Sequence, residues 1–190
     1  MNILLYGIQG SGKSTQGKLL SHHMHLPYLS TGHIFREMSH EQSRQGRYMK
    51  ETLASGLLIP DDLVIPIVEE YLGRQEYRHG WILDGFPRTL VQAKQFNMSI
   101  DVAFYLIVSD KEALWRLSFR KDEKGEIRED ETVMALRKRI DLFHKVTEPV
   151  LDFYRKKDLL VEIAGERKVE DIIEDIMRKI RWYQKGNGSG

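Results

Sequence analysis

Residues Gly7-Ile8-Gln9-Gly10-Ser11-Gly12-Lys13-Ser14 constrain this chain more than any other stretch. They spell G-x-x-x-x-G-K-S between a short apolar run, Ile3-Leu4-Leu5-Tyr6, and a stretch patterned as helix. Strand, glycine-rich loop, helix is the context in which that spelling holds phosphate. Glycines let the backbone curl with its N–H groups turned inward as an anion nest. The helix that follows adds the positive end of its dipole. Lys13 can reach the outer phosphates as a point charge, and Ser14 can offer a hydroxyl to Mg²⁺.

The chain has 190 residues, enough for one domain with small insertions and an ample core. Charged residues make up 30% and the formal net charge is +1, a balance that argues against a general nucleic-acid binder. There is no cysteine, so neither a disulfide nor a thiolate zinc site is available. No apolar run approaches the roughly 18 residues of a membrane span, and no signal peptide is read. A reducing, cytoplasmic setting is expected, and a monomer. Residues 186–190, Gly-Asn-Gly-Ser-Gly, are expected to be a flexible tail.

Apolar runs near residues 3, 28, 82, 104 and 161 read as strands, and helical patterns lie between them. The first helix is expected over Lys13–His25. His22, His23 and His25 crowd its end, where exposed histidines suit the dipole better than they suit a metal site. Further helices are expected over Ile34–Ser39 and Gln42–Ala54, with Gly56 as a stop. The stretch from Ser30 to Ile59 shows no strong core stripe. Pro60-Asp61-Asp62 opens another helix, with Pro66 in its first turn or so. A helix over Leu90–Phe96 follows, then one capped by Asp110. From Val133 to Tyr154 apolar residues recur at three and four, one continuous face that Pro149 should bend or interrupt. Alternation of this kind implies an α/β fold, a three-layer sandwich with a five-stranded parallel sheet and helices on both faces. The charged stretch near 121–130 has little to bury and would make an inexpensive mobile lid.

A phosphate loop names a ligand class and not a reaction. Asp84 ends the apolar run Trp81-Ile82-Leu83, which would set a carboxylate beside the loop, where it can hold Mg²⁺ directly or through water. Arg36, Arg88, Arg116, Arg120, Arg128 and Arg139 are arginines that no core needs. Arg88 is the most telling, because Gly85 and Pro87 fix a rigid turn at the strand's end. Phosphoryl transfer spreads charge over three equatorial oxygens, and planar guanidinium forks suit those oxygens.

Taken together, Gly7 to Thr15, Ser30-Thr31-Gly32 with Arg36, Asp84-Gly85-Phe86-Pro87-Arg88-Thr89 with Gln92, and Arg128-Glu129-Asp130 with Arg139 resemble adenylate kinase. The likeness is collinear over essentially the whole chain, and Thr147-Glu148-Pro149 and Gly165 fit it too. The resemblance implies reversible phosphoryl transfer from MgATP to AMP, giving two ADP. It implies that Gly10, Ser11, Gly12, Lys13, Ser14 and Thr15 wrap the ATP phosphates. Arg120, Arg128 and Arg139 would clamp the transferring group, with Arg36 and Arg88 on the acceptor phosphate. Arg116 would stack on the ATP base near Arg167. Thr31, Leu57, Ile59, Gly85 and Gln92 would line the AMP site, together with Arg128 and Arg139. Ser14 and Asp84 would serve Mg²⁺, and no zinc is implied. Residues 1–29, 60–119 and 131–185 become the core, 30–59 the AMP-binding insertion and 120–130 a short lid.

Four positions depart from the family pattern. Gln9 stands where proline is usual and Ser14 where glycine is usual. His33 replaces an aspartate beside the acceptor phosphate, and Leu57 occupies a position often basic. The alternatives are a UMP/CMP-type or broad-specificity nucleoside monophosphate kinase and, in another class, a nucleotide-sensing module that transfers nothing. Thr31, Thr89 and Gln92 favour AMP over the first. Lys13 and the arginines of the lid region disfavour the second.

Overall fold

A computed structural model describes residues 1–118 and 132–186, with side chains as far as Tyr183 in the last helix. The expected lid, with Arg120 and Arg128, therefore lies outside the described residues, as does most of the expected tail.

Five strands, β1 (Asn2–Tyr6), β2 (Tyr28–Ser30), β3 (Trp81–Asp84), β4 (Val102–Ile107) and β5 (Leu160–Ala164), form one sheet in the order β2-β3-β1-β4-β5. Every neighbouring pair is parallel. Parallel strands need crossovers, and helices supply them. They are α1 (Lys13–Met24), α2 (Thr31–Ser39), α3 (Arg44–Ala54), α4 (Asp61–Leu72), α5 (Leu90–Gln95), α6 (Asp110–Ser118), α7 (Val133–Leu142), α8 (Glu148–Arg155) and α9 (Val169–Gly186).

Period-two alternation along β1 sorts the core into two halves. Ile3 and Leu5 face one side with Phe104 and Ile163, under Leu20 of α1 and Ile172 and Ile176 of α9. Leu4 and Tyr6 face the other, with Leu83 and Ala103, under Val68 of α4, Ala93 of α5 and Val150 of α8. The central strands are buried on both faces, which is why they read as continuous apolar runs.

Register then positions the chemistry. Leu5 pairs with Asp84, and Ser30 pairs with Asp84 from the other side. The carboxyl ends of β1, β2 and β3 therefore converge. The connections leaving β1 and β4 run to opposite sides of the sheet, and a ligand crevice is expected outside the strand ends at such a point.

Several expectations need correction. Ser109, not Asp110, caps α6: its carbonyl accepts Ala113 N at 2.9 Å and its hydroxyl accepts Glu112 N at 3.3 Å. Pro66 lies in the second turn of α4. The stretch from Ser30 to Ile59 does contribute core: Ile34, Phe35, Met49 and Ile59 are buried in the same cluster as Leu4 and Val68. Its apolar residues are divided between α2 and α3, so neither helix alone shows a full stripe. The face expected over Val133–Tyr154 is not continuous, since Val133 is exposed. The helix is interrupted by a π-helical turn, Phe143–Thr147, immediately ahead of Pro149. Glu148 N reaches Phe143 O, and the wider turn makes room for a residue that has no N–H to give.

Candidate active site

The loop after β1 turns back on itself. Gly10 has φ +89°, and a Cβ there would meet the Ala113 carbonyl of α6 at 2.6 Å, so only glycine lets the loop lie this close to α6. Lys13 Nζ donates to Gly7 O at 2.7 Å and Ile8 O at 2.9 Å, which lays its ammonium across the mouth of the nest. Ser14, one residue into α1, donates its hydroxyl to Asp84 Oδ2 at 3.4 Å.

Asp84 is buried at the end of β3 and has a second partner, the Tyr28 hydroxyl, which donates to the same oxygen at 2.7 Å. Burial first, and then the charge of Asp84, push the Tyr28 phenol well above its ordinary pKa, so it stays a donor. A hydroxyl and a carboxylate side by side are the hard oxygen donors that suit Mg²⁺. Ser14 and Asp84 thus fit the metal that a nucleoside triphosphate carries.

Gly85 follows with φ +87°; a Cβ there would meet Thr31 Oγ1 at 2.6 Å and Arg88 Nη2 at 2.8 Å. The absence of that carbon lets Arg88 fold over the turn, with Nε donating to Gly85 O at 2.6 Å. The Phe86–Pro87 peptide is cis. Burial lowers the Arg88 pKa, the nearby Arg139 charge pushes the same way, and Asp84 opposes both. The guanidinium remains a cation. The turn is stapled from outside. Arg88 N donates to Gln92 Oε1 at 2.6 Å, Gln92 Nε2 to Asp61 Oδ1 at 2.7 Å, and Thr89 Oγ1 to Asp61 Oδ2 at 3.0 Å. Thr147, turned inward by the π-helical segment, donates to Arg88 O at 3.0 Å.

Arg139 on α7 donates to Gln9 Oε1 at 3.1 Å and to Leu53 O at 2.6 Å. Arg116 is held flat by Glu112 Oε1 at 2.7 Å and Gly165 O at 3.0 Å. Arg167 is held by Ala164 O at 3.0 Å and Asp175 at 2.8 Å.

These groups share one cleft of about 620 Å³. Every residue from Gly10 to Thr15 lines it, as do Asp84, Arg116 and Arg167, and also Arg36, Leu57, Gly85, Arg88 and Arg139. Three residues expected in the acceptor site do not line this cleft. Thr31 and Ile59 are buried, and Gln92 is 2% exposed with both ends of its amide engaged within the chain. His33 is exposed and pairs with Glu37 at 3.3 Å. Sequence reasoning gave Asp61 a part in opening α4 but not at the site, and assigned no site role to Tyr28 or Leu53, nor to Trp115, whose ring is exposed on the cleft wall. Only Thr147 had a local signal, the Thr-Glu-Pro spelling; the others depend on register and helix packing.

A parallel sheet with a glycine-rich loop after its central strand, a carboxylate on the neighbouring strand and arginines in one cleft has the architecture of a nucleotide-binding α/β protein. The family model described as adenylate kinase matches residues 5–159. The chain is 38% identical to an adenylate kinase of Cyanothece sp., with 92% of each chain covered. It is 34% identical to an adenylate kinase of Archaeoglobus fulgidus, covering 95% of this chain and all of that one. It is 32% identical to one of Caldicellulosiruptor bescii, covering 95% and 99%. The chain belongs to the adenylate kinase family.

Proposed function

We infer that this protein transfers a phosphoryl group reversibly from MgATP to AMP, giving two ADP. The observation that supports this most directly is that one cleft joins a donor side to an acceptor side. The loop of Gly10 to Thr15, Ser14 and Asp84 form the first; Arg36 and Arg88 form the second, with Arg139 between.

The residues divide the work by charge. Loop N–H groups and the amino end of α1 hold the donor phosphates, while Lys13 swings from its loop carbonyls to follow the transferring group. Ser14 and Asp84 would hold Mg²⁺, which screens charge on the phosphate oxygens. Arg36 and Arg88 hold the acceptor phosphate, and Arg139 meets the charge that spreads over the equatorial oxygens. The acceptor oxygen is already an anion, so no general base is required. Arg116 and Arg167 form the platform for the donor base. We read residues 30–59 as the acceptor insertion and 120–130, carrying Arg120 and Arg128, as a lid that closes to exclude water.

A monomer in the cytoplasm is part of this reading. The lack of cysteine supports the compartment, and among the described residues no helix is long and apolar enough to cross a membrane. A coupled assay with ATP and AMP, CMP, UMP or GMP tests the reading. AMP is expected to be the preferred acceptor. No turnover with any acceptor would exclude a kinase, and preference for CMP or UMP would exclude the narrower assignment.

A further inference from the structure

The helix that carries Arg116 opens with a capping spelling of which only half is used. Ser109 and Glu112 stand at the spacing of a capping box. In such a box the serine hydroxyl takes the N–H of the glutamate, and the glutamate carboxylate takes the N–H of the serine. The first half is present: Ser109 Oγ accepts Glu112 N at 3.3 Å. The second half belongs to another residue. Ser109 N donates to Glu166 Oε1 at 2.7 Å, from the connection between β5 and α9. The Glu112 carboxylate is left for a different task. It reaches one turn along α6, where Oε1 accepts Arg116 Nε at 2.7 Å.

Glu112 and Arg116 both line the cleft. Arg116 has a second hold, Nη2 on Gly165 O at 3.0 Å. Gly165 is itself tied to the end of β4, its N–H on Ile107 O at 2.8 Å. Nε and Nη2 share one edge of the guanidinium, so these two contacts fix its plane, and a flat guanidinium stacks through its faces.

A carboxylate on this wall calls for a reason. The cleft is read above as the seat of a polyanion, which a carboxylate repels. Stability is a weak reason, because an i,i+4 ion pair on a helix surface contributes little. Paired with Arg116, however, Glu112 offsets the guanidinium charge, which suits an uncharged base and leaves the phosphates to the loop at Lys13. Arg167, the other half of the donor platform, is paired in the same way, with Asp175 at 2.8 Å.

We propose that Glu112 is a positioning residue for the donor nucleotide, setting the plane of Arg116 against the base and offsetting its charge there. This rests on the kinase reading above. The base is held alike before and during transfer, so the effect appears in the KM for ATP and not in kcat.

The experiment measures kcat, both KM values, the Kd of MgATP by calorimetry and Tm for wild type, Glu112→Leu, Glu112→Gln, Arg116→Ala and the double variant Glu112→Leu/Arg116→Ala. Wild-type turnover with AMP checks the kinase reading separately, and the Kd series tests Glu112 whether or not that turnover is found. Glu112→Leu is expected to raise the Kd and the KM for ATP about fivefold to tenfold, with kcat and the KM for AMP within about twofold of wild type. Glu112→Gln keeps an oxygen for Arg116 Nε but not the charge, and is expected to stay within about threefold of wild type. Tm is expected to move by no more than about 4 °C in either variant. In the Arg116→Ala background, Glu112→Leu is expected to cost nothing further, since the group it positions is gone. The inference is overturned if Glu112→Leu keeps the Kd of MgATP within about twofold of wild type, if it raises both KM values alike, or if Tm falls with the affinity. It is equally overturned if Glu112→Gln binds as weakly as Glu112→Leu, or if the two losses multiply in the double variant.

Discussion

The Tyr28 hydroxyl donates to Asp84 Oδ2 at 2.7 Å, across the β2–β3 register that sets Ser30 opposite Asp84. Tyr28 can approach because α1 carries Gly17, where a Cβ would lie 2.3 Å from the Tyr28 ring. The carboxylate expected to serve the metal is thus anchored by an aromatic residue of the neighbouring strand. Tyr28→Phe keeps the ring and removes the donor. Hydrogen bonds to charged groups contribute about 1.5–3 kcal/mol, and a loss of that order is expected in urea unfolding. Activity at limiting Mg²⁺ should fall more than activity at saturating Mg²⁺. Equal losses at both would mean that Tyr28 supports the fold and not the metal site.

Lys13 and Arg88 both line the cleft, and the proposed reading has them serve different nucleotides. Lys13→Ala and Arg88→Ala are each expected to lower kcat by about 10²–10³, the scale for deleting one preorganised electrostatic donor. Arg88→Ala should also raise the KM for AMP more than that for ATP. Circular dichroism should show both variants folded, because neither side chain fills the core. A near-normal rate for either would remove it from the machinery.

Much of this was legible in the sequence, and the reason is locality. The central strands are continuous apolar runs, the two edge strands are short and mostly apolar, and the loop from Gly7 to Ser14 is one contiguous spelling, so all of these survive without tertiary knowledge. Asp84 and Arg88 were legible because a strand end and a rigid turn imply where they point. Tyr28, Asp61 and Leu53 were not, because their partners lie 56, 31 and 86 residues away and meet them only through register and helix packing. The core of α2 and α3 was missed for a related reason: Ile34 and Phe35 on one helix and Met49 on the other close over the same cluster. Pro149 announced a break, but the π-helical turn that turns Thr147 toward Arg88 depends on how α7 and α8 pack.

Gln92 was expected to line the AMP site and favour AMP, and in the structure its amide staples Arg88 N to Asp61. Gln92→Leu strands a half-buried carboxylate oxygen of Asp61 and the Arg88 backbone N–H. A cost of about 1–3 kcal/mol is expected, together with a higher KM for AMP through a loosened Arg88 turn. Asp61→Ala breaks the same staple without touching Gln92's capacity to meet a base. If the staple is the whole role, both variants raise the KM for AMP by similar factors. A much larger rise for Gln92→Leu would restore base reading.

His144 joins three elements on the surface, with Nδ1 2.6 Å from Glu148 Oε1 and Nε2 3.0 Å from Asp110 Oδ1. The hydrogen bond to Glu148 is the largest cause that raises its pKa above the ordinary value; partial burial opposes it and Asp110 adds to it. A histidine whose folded pKa exceeds its unfolded one stabilises the fold below the unfolded value, and that contribution is lost as pH rises through the folded one. The groups are exposed, so the effect is modest and salt-sensitive. The Tm gap between wild type and His144→Ala should be widest near about pH 6 and shrink by about pH 9, and 1 M salt should narrow it. A gap independent of pH would mean that packing against Phe143, not charge, accounts for it.

His33 was expected beside the acceptor phosphate, yet its side chain is 56% exposed and pairs with Glu37 one turn along α2. His33→Asp separates the two placements. On the surface, an acid in the first turn of α2 gains about 0.3–1 kcal/mol from the helix dipole. It also loses about 0.2–0.5 kcal/mol to repulsion from Glu37 at i+4. These nearly cancel, so Tm should move by no more than about 2–4 °C. The KM for AMP and the Mg²⁺ dependence should then stay within about twofold of wild type, because no cleft residue gains or loses a partner. An acid brought against an acceptor phosphate would instead repel it, raising that KM severalfold at low Mg²⁺ and less at high Mg²⁺, where a cation could bridge the two. That second pattern would place His33 in the acceptor site once substrate is bound, against the solvent-facing placement of its side chain on α2.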